Sequence, residues 1–213
     1  MLTNMTTAIP PTEYNKEQGC NNSMPGIFSF FRAPAQSVKP LKSVDVKGIY
    51  KYITLYQPAM MATHELRDIK DEKEARKYKA LHFDFVCFSG VFSYRKDDCL
   101  IQHSGLLCLD FDHVGDYMAL WSLRGRLIAD KYFTTWLLFI SPSGDGLKWV
   151  IEIDLMKCDH KIWFRAMQNY VRAIYGVEVD EKCINVSRAC FLPHDGSCYV
   201  HPSILQKPDV CPF

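Results

Sequence analysis

No apolar run in these 213 residues approaches the length of a membrane span, which excludes a membrane-crossing helix within them. Net charge is also scarce: 25 basic against 24 acidic residues leave +1, so no broad basic field exists for coating DNA without sequence preference. Any nucleic-acid contact must come from a local cluster or a partner domain. The nine cysteines include no Cys-x-x-Cys knuckle. That weakens a structural zinc reading of Cys183, Cys190, His194, Cys198 and His201, which are better explained as buried thiols and surface histidines. The odd cysteine count, and a polar start without a secretory leader, predict a reduced, cytoplasmic protein. Cys87, Cys99 and Cys108 sit in or near strand-like segments, where a free thiol acts as a small hydrophobe. No Gly-Lys-Ser/Thr opens a helix, so a Walker A loop is excluded. Internal repeats and low-complexity tracts are missing too.

The remaining composition is that of an ordinary globular chain, 48% hydrophobic and 23% charged. Residues 1–26 are predicted to be a flexible arm, 27–205 one domain, and 206–213 a tail. Ile27 to Phe31 reads as an edge strand. Val44 to Leu55 has a helical period. The charged block from His64 to Lys79 reads as one solvated helix with ion pairs along its faces. Phe83–Phe88 and Val91–Tyr94 flank a bend or hairpin at Ser89-Gly90. Asp116 or Gly115 opens a helix that turns Tyr117, Leu120, Trp121 and Leu127 inward. Thr134–Ile140 and Lys148–Ile153 read as strands. His160 to Tyr175 is the clearest helix, with Trp163, Met167, Tyr170, Val171 and Ile174 in one stripe and Gly176 as its stop. Short strands are predicted at Ala189–Leu192 and Cys198–Val200. Strands interleaved with helices around one sheet core favour an α/β or α+β sandwich.

The chemistry is concentrated in three places. Gly105-Leu-Leu-Cys-Leu-Asp110-Phe-Asp112 is an apolar strand ending in two carboxylates. Alternation along a strand points Asp110 and Asp112 the same way. Like charges so close need a cation between them, and hard oxygen ligands favour Mg2+ or Mn2+. Next comes Ser141-Pro-Ser143-Gly144-Asp-Gly146-Leu-Lys148. A turn with two glycines can offer backbone N–H groups to an anion, Ser143 can donate to a phosphate oxygen, and Lys148 can neutralise a triphosphate. The third place holds Asp180, a further carboxylate, and Arg188, which can clamp a phosphate with two N–H groups. Three carboxylates can carry two metal ions. Asp195 reads as a turn residue.

The order Asp110-x-Asp112, Ser143-Gly-x-Gly-x-Lys148, then Asp180 followed by Arg188, resembles the archaeo-eukaryotic primase superfamily. It is most similar to the bacterial branch known as the VirE N-terminal, or primase-like, domain. The segments Ser104–His113, Phe139–Lys148 and Ser187–Asp195 carry the likeness, and Lys79, the Ser89-Gly90 bend and Arg95 add to it over roughly residues 27–200. The resemblance implies an α+β fold with a mixed or antiparallel sheet core flanked by helices, of the primase-polymerase (RRM-like) type. It implies that Asp110, Asp112 and Asp180 bind two catalytic Mg2+ or Mn2+ ions. Ser143, Gly144, Gly146, Lys148 and Arg188 would then bind the nucleotide. Lys148 stands where the superfamily usually has a histidine that contacts the triphosphate, and a lysine can also pair with phosphate.

The implied partners are nucleoside triphosphates and a DNA template. A P-loop helicase often accompanies this branch and would here be a separate chain or a missing domain. The implied activity is nucleotide joining in the replication of bacterial or mobile-element DNA. Two other readings stay open. One is an inactive module of the same fold that binds nucleic acid or a helicase. The other is a haloacid-dehalogenase-like phosphohydrolase built on Leu109-Asp110-Phe-Asp112.

Overall fold

The structure, a computed structural model, describes residues 26–206. The arm expected over 1–26 and the tail expected over 206–213 therefore lie, but for one residue each, outside the described residues.

The first strand, β1 (Phe28–Phe31), is followed by β2 (Lys42–Val44) and three helices. α1 (Val46–Leu55) starts because the Asp45 side chain accepts the Gly48 N–H, and it buries Val46, Ile49, Tyr52 and Ile53. α2 (Gln57–Asp68) has a proline in its first turn. α3 (Glu72–His82) is capped by Asp71, whose carboxylate accepts the Glu74 N–H, and buries none of its residues. The single charged helix expected from His64 to Lys79 is thus two. The backbone is extended at Ile69, and Asp71 supplies a new start.

Three short strands follow, β3 (Phe85–Cys87), β4 (Gly90–Phe92) and β5 (Leu100–His103). β6 (Leu106–Phe111), α4 (Tyr117–Ile128), β7 (Thr135–Ile140), β8 (Leu147–Glu152) and α5 (His160–Tyr175) form the larger half. Cys190–Phe191 (β9), Tyr199–Val200 (β10) and Pro202–Leu205 (α6) complete the chain. The fold is α+β. Among the described residues it has two four-stranded sheets, in the orders β2-β1-β3-β9 and β10-β7-β8-β6, and a β4-β5 hairpin. Every strand pair is antiparallel.

β1 is not the edge strand expected, because β2 and β3 flank it. Ser89-Gly90 is a bend that hands the chain from one sheet to the hairpin, since β3 and β4 pair with different strands. No helix among the described residues is long and apolar enough to cross a membrane.

One apolar cluster is shared by both sheets and α1, through Phe28, Phe30, Val86, Ile49, Leu106, Leu137 and Val150. A second lies on the other face of the β10-β7-β8-β6 sheet, where Leu109, Phe111 and Trp149 meet Leu123 of α4 and Phe164 of α5. Each such fully buried large side chain stabilises the fold by about 1.5–3 kcal/mol. Two residues expected inside are outside: Tyr117 is 72% exposed at the start of α4, and Ile174 is 52% exposed near the end of α5. Gly176 stops α5 in the left-handed conformation, as its sequence position predicts.

β6 alternates between the two clusters. Leu107, Leu109 and Phe111 face the helices, while Leu106 and Cys108 face the other sheet. Asp110 is in phase with the second set, so the strand turns a carboxylate toward the space between the sheets.

A histidine pair joins the end of β5 to the start of α5. The Gly105 N–H donates to His103 Nδ1 (3.0 Å), His103 Nε2 lies 3.1 Å from His160 Nδ1, and His160 Nε2 lies 3.5 Å from the Cys183 carbonyl. The accepting Nδ1 makes His103 a neutral Nε2–H donor. Burial, helped by His160, lowers His103 to about 4. His160 is lowered by burial as well, against the pull of Asp97 and Asp159 and with Lys161 adding to the effect. An unfolded histidine takes up its proton near pH 6.5, before the folded one does. Stability should therefore be full above about pH 6.5 and fall as pH drops toward 4. Allowing for solvent screening, the loss from His103 is about 1–2 kcal/mol. Denaturant unfolding at pH 7 and 4.5 checks this, and His103→Gln should flatten the difference; an unchanged slope would refute it.

Candidate functional site

Asp110 lies on β6 directly opposite Lys148 of β8. Their side chains form an ion pair, with both groups almost wholly shielded from water. Burial lifts the Asp110 carboxyl above the ordinary range; Lys148 works against this, while Asp112 and Asp180 reinforce it. Burial also acts to lower the Lys148 ammonium, but Asp110 outweighs it and holds Lys148 above its usual value. The partnership uses Asp110 Oδ2 only. Oδ1 is buried and has no hydrogen-bond partner.

Asp180 follows α5 in the chain. Its N–H donates to the Asp110 carbonyl oxygen (2.9 Å), which fixes the segment against the end of β6. Its side chain caps a short 3₁₀ turn, Glu181–Ile184, by accepting the Lys182 N–H. In a 3₁₀ turn side chains three apart eclipse, so Cys183 stands on the same side as Asp180. Ligand atoms of Asp110, Asp180 and Cys183 all lie within 4.8 Å of one another. Arg188 donates to Asp180 Oδ2 (2.6 Å). Burial pushes the Cys183 thiol up to about 12.

These groups border a small cleft, of about 20 Å³, lined by Asp110, Lys148, Cys183, Asn185 and Arg188 together with Cys108 and Cys190. The last two thiols lie 3.9 Å apart.

Four expected contributors, Asp112, Ser143, Gly144 and Gly146, are placed or engaged otherwise. Asp112 is exposed, one residue past the end of β6, and stands outside the Asp110–Asp180–Cys183 group. Ser143 is exposed, and its hydroxyl donates to Asp145 (2.6 Å) and lies 3.0 Å from Ser141 Oγ. The glycine N–H groups expected to face an anion are engaged within the turn: Gly144 donates to the Ser141 carbonyl (2.9 Å) and Gly146 to Ser141 Oγ (3.1 Å). The glycines answer to packing instead. Gly144 has φ +90, with Arg67 of α2 against it, and a Cβ at Gly146 would stand 2.3 Å from the Phe111 carbonyl oxygen. Arg67 donates to the carbonyls of Pro142 and Ser141 and so braces the turn. His113, at φ 51, ties the β6 end to the turn through Asp145 (2.5 Å). Asp195 is more than a turn residue: it is buried, and its Oδ2 accepts the Ile140 N–H that would otherwise end β7 unpaired.

Two participants carry weaker sequence signals. Cys183 follows Asp180 by three positions, a spacing that gains meaning only once a 3₁₀ turn is known. Lys79 of α3 feels Asp112, Asp110, Asp145 and Lys148, and burial first, then Lys148, lowers its ammonium. It makes no ion pair among the described residues; its Nζ lies 5.9 Å from the Phe191 ring.

A family model described as the BT4734-like, N-terminal domain matches residues 77–200. That span runs from the end of α3 to β10 and holds every residue of the cleft. No curated protein and no solved structure matches the chain.

Proposed function

The chain belongs to the BT4734-like N-terminal domain family, and from that premise we propose that its cleft is a nucleotidyltransferase site of the primase-polymerase type. It would join nucleotides on a DNA template during replication. One observation carries the reading: two carboxylates from distant segments, Asp110 and Asp180, converge beside two basic residues, Lys148 and Arg188. A charge balance of this kind suits a metal–triphosphate complex.

The donor set fits a divalent ion, because Asp110 Oδ1 is a buried acceptor without a donor. Asp110 and Asp180 would hold Mg2+ or Mn2+. A second ion would have to draw on Asp112, which is exposed and not part of the cleft lining. Such ions activate the attacking hydroxyl oxygen and stabilise the leaving pyrophosphate. The chain's own residues do the rest. Lys148 sets the position of Asp110. Lys79, without an ion pair of its own among the described residues, is available to the triphosphate, and Arg188 can exchange Asp180 for a phosphate oxygen.

A second reading is a catalytically silent module of the same fold that binds nucleic acid or a separate P-loop helicase. It is favoured by the ion pairs that already engage both carboxylates.

Primer extension with template DNA, nucleoside triphosphates and Mg2+ or Mn2+ separates the two. Incorporation by the wild type, reduced to background in Asp110→Ala and Asp180→Asn, is the expected result. Extension by Asp110→Ala at the wild-type rate would overturn it. DNA binding without incorporation would favour the silent module. Phosphate release from a generic ester, lost in Asp110→Asn, would favour the phosphohydrolase.

A further inference from the structure

A buried carboxylate oxygen without a donor is rare and calls for an explanation. Asp110 is 7% exposed, and its Oδ1 has no partner while Oδ2 is held by Lys148. Asp180 has the same economy: Arg188 takes Oδ2, and the Lys182 N–H takes Oδ1 with a lone pair to spare. The third side chain that brings a ligand atom within 4.8 Å of both carboxylates is not Asp112 but Cys183, through its sulfur. We infer that Asp110, Asp180 and Cys183 form a site for one thiophilic divalent cation of the zinc class, with Cys183 rather than Asp112 as the third ligand.

Size and charge both point this way. Zinc–oxygen and zinc–sulfur bonds of about 2.0–2.3 Å require ligand atoms some 3–4 Å apart. The three donors, within 4.8 Å of one another, need only a small closure to reach that spacing. The two carboxylate charges are already balanced by Lys148 and Arg188. Without a triphosphate to accompany it, a hard ion held by charge alone gains little from such a neutral setting. A thiolate adds bonding that zinc, cobalt and cadmium exploit and magnesium does not. The thiol gives its proton to solvent as the sulfur–metal bond forms, so one proton is released per ion bound. Around the sulfur the chain is fixed by the Cys183 carbonyl's contact with His160 and by the Asp180 cap. The site shares Asp110 and Asp180 with the proposed nucleotide chemistry but does not depend on that reading.

Titrating the full chain with Co2+ tests the inference optically. The wild type should develop a near-ultraviolet sulfur-to-cobalt charge-transfer band and bind Zn2+ far more tightly than Mg2+. Cys183→Ser should lose the band and weaken Zn2+ binding on the order of a hundredfold, with Mg2+ binding little changed. Cys108→Ser and Cys190→Ser should keep the band. A wild type without the band overturns the inference whatever the variants do, and so does a band that survives Cys183→Ser or vanishes with Cys108→Ser. Mg2+-dependent nucleotide incorporation without the band would leave the transferase reading standing and this one refuted; the band without incorporation would do the reverse.

Discussion

Lys148→Met should destabilise the fold by about 3–5 kcal/mol near pH 8, because it leaves the Asp110 carboxylate buried and unpaired. The ion pair is among the least hydrated in the molecule, with side chains 11% and 10% exposed. Its net contribution relative to two neutral groups is a separate matter, since desolvation opposes attraction. The double variant Asp110→Asn, Lys148→Met should therefore recover much of the loss, which a double-mutant cycle measures as a strong positive coupling. A pH series adds a second check. In Lys148→Met the leading influence that lowers the carboxyl is gone, while burial still raises it. Its folded pKa then lies above the unfolded value near 3.9, so the folded state holds the proton more tightly than the unfolded one. Stability so gained is present at low pH and lost as pH rises through the folded value. The deficit of Lys148→Met should thus shrink as pH falls from 8 toward 5. A deficit under about 1 kcal/mol at pH 8, or a double variant less stable than Lys148→Met, would show that the two groups do not share a dry pair.

That pair also explains how far the residues alone could lead. The strand character of Leu106–Phe111, the Asp116 cap of α4, and the α5 stripe with its Gly176 stop are local properties, and each appears where periodicity and capping place it. The meeting of Asp110 with Asp180 is long-range, yet motif order suggests it. Less accessible were features set by register and turn type. Alternation assigns Asp110 and Asp112 one direction, yet β6 ends between them, so one is buried and the other open to water. Cross-strand register makes Lys148 the partner of Asp110 before any phosphate arrives. In the sequence the Cys183 thiol reads as a buried filler; the 3₁₀ turn sets it beside Asp180. Tyr117 shows the opposite failure, an aromatic that satisfies the helical period but begins its helix too early to reach the core.

The two glycines of the 141–146 turn give the other large effect. Gly146→Ala should cost about 1–3 kcal/mol or more, because the added methyl would meet the Phe111 carbonyl oxygen at 2.3 Å and Ser141 Oγ at 3.2 Å. The first contact is with backbone and cannot rotate away. Relief requires β6 and the start of β8 to separate where Phe111 faces Leu147. That is one residue from Asp110, so the ion pair and the Asp180 amide bond to the Asp110 carbonyl would be disturbed together. Gly125→Ala is the matching control. A Cβ there finds nothing within 4 Å, in the middle of α4. It should stabilise the protein by about 0.5–1 kcal/mol, since glycine is a poor helix former. Opposite signs from one added methyl, read in parallel denaturant titrations, would tie the Gly-x-Gly pattern to the close approach of two strands rather than to a free anion cradle. If Gly146→Ala proved as benign as Gly125→Ala, the turn would be loose enough to reshape, and its amides could again be considered for phosphate.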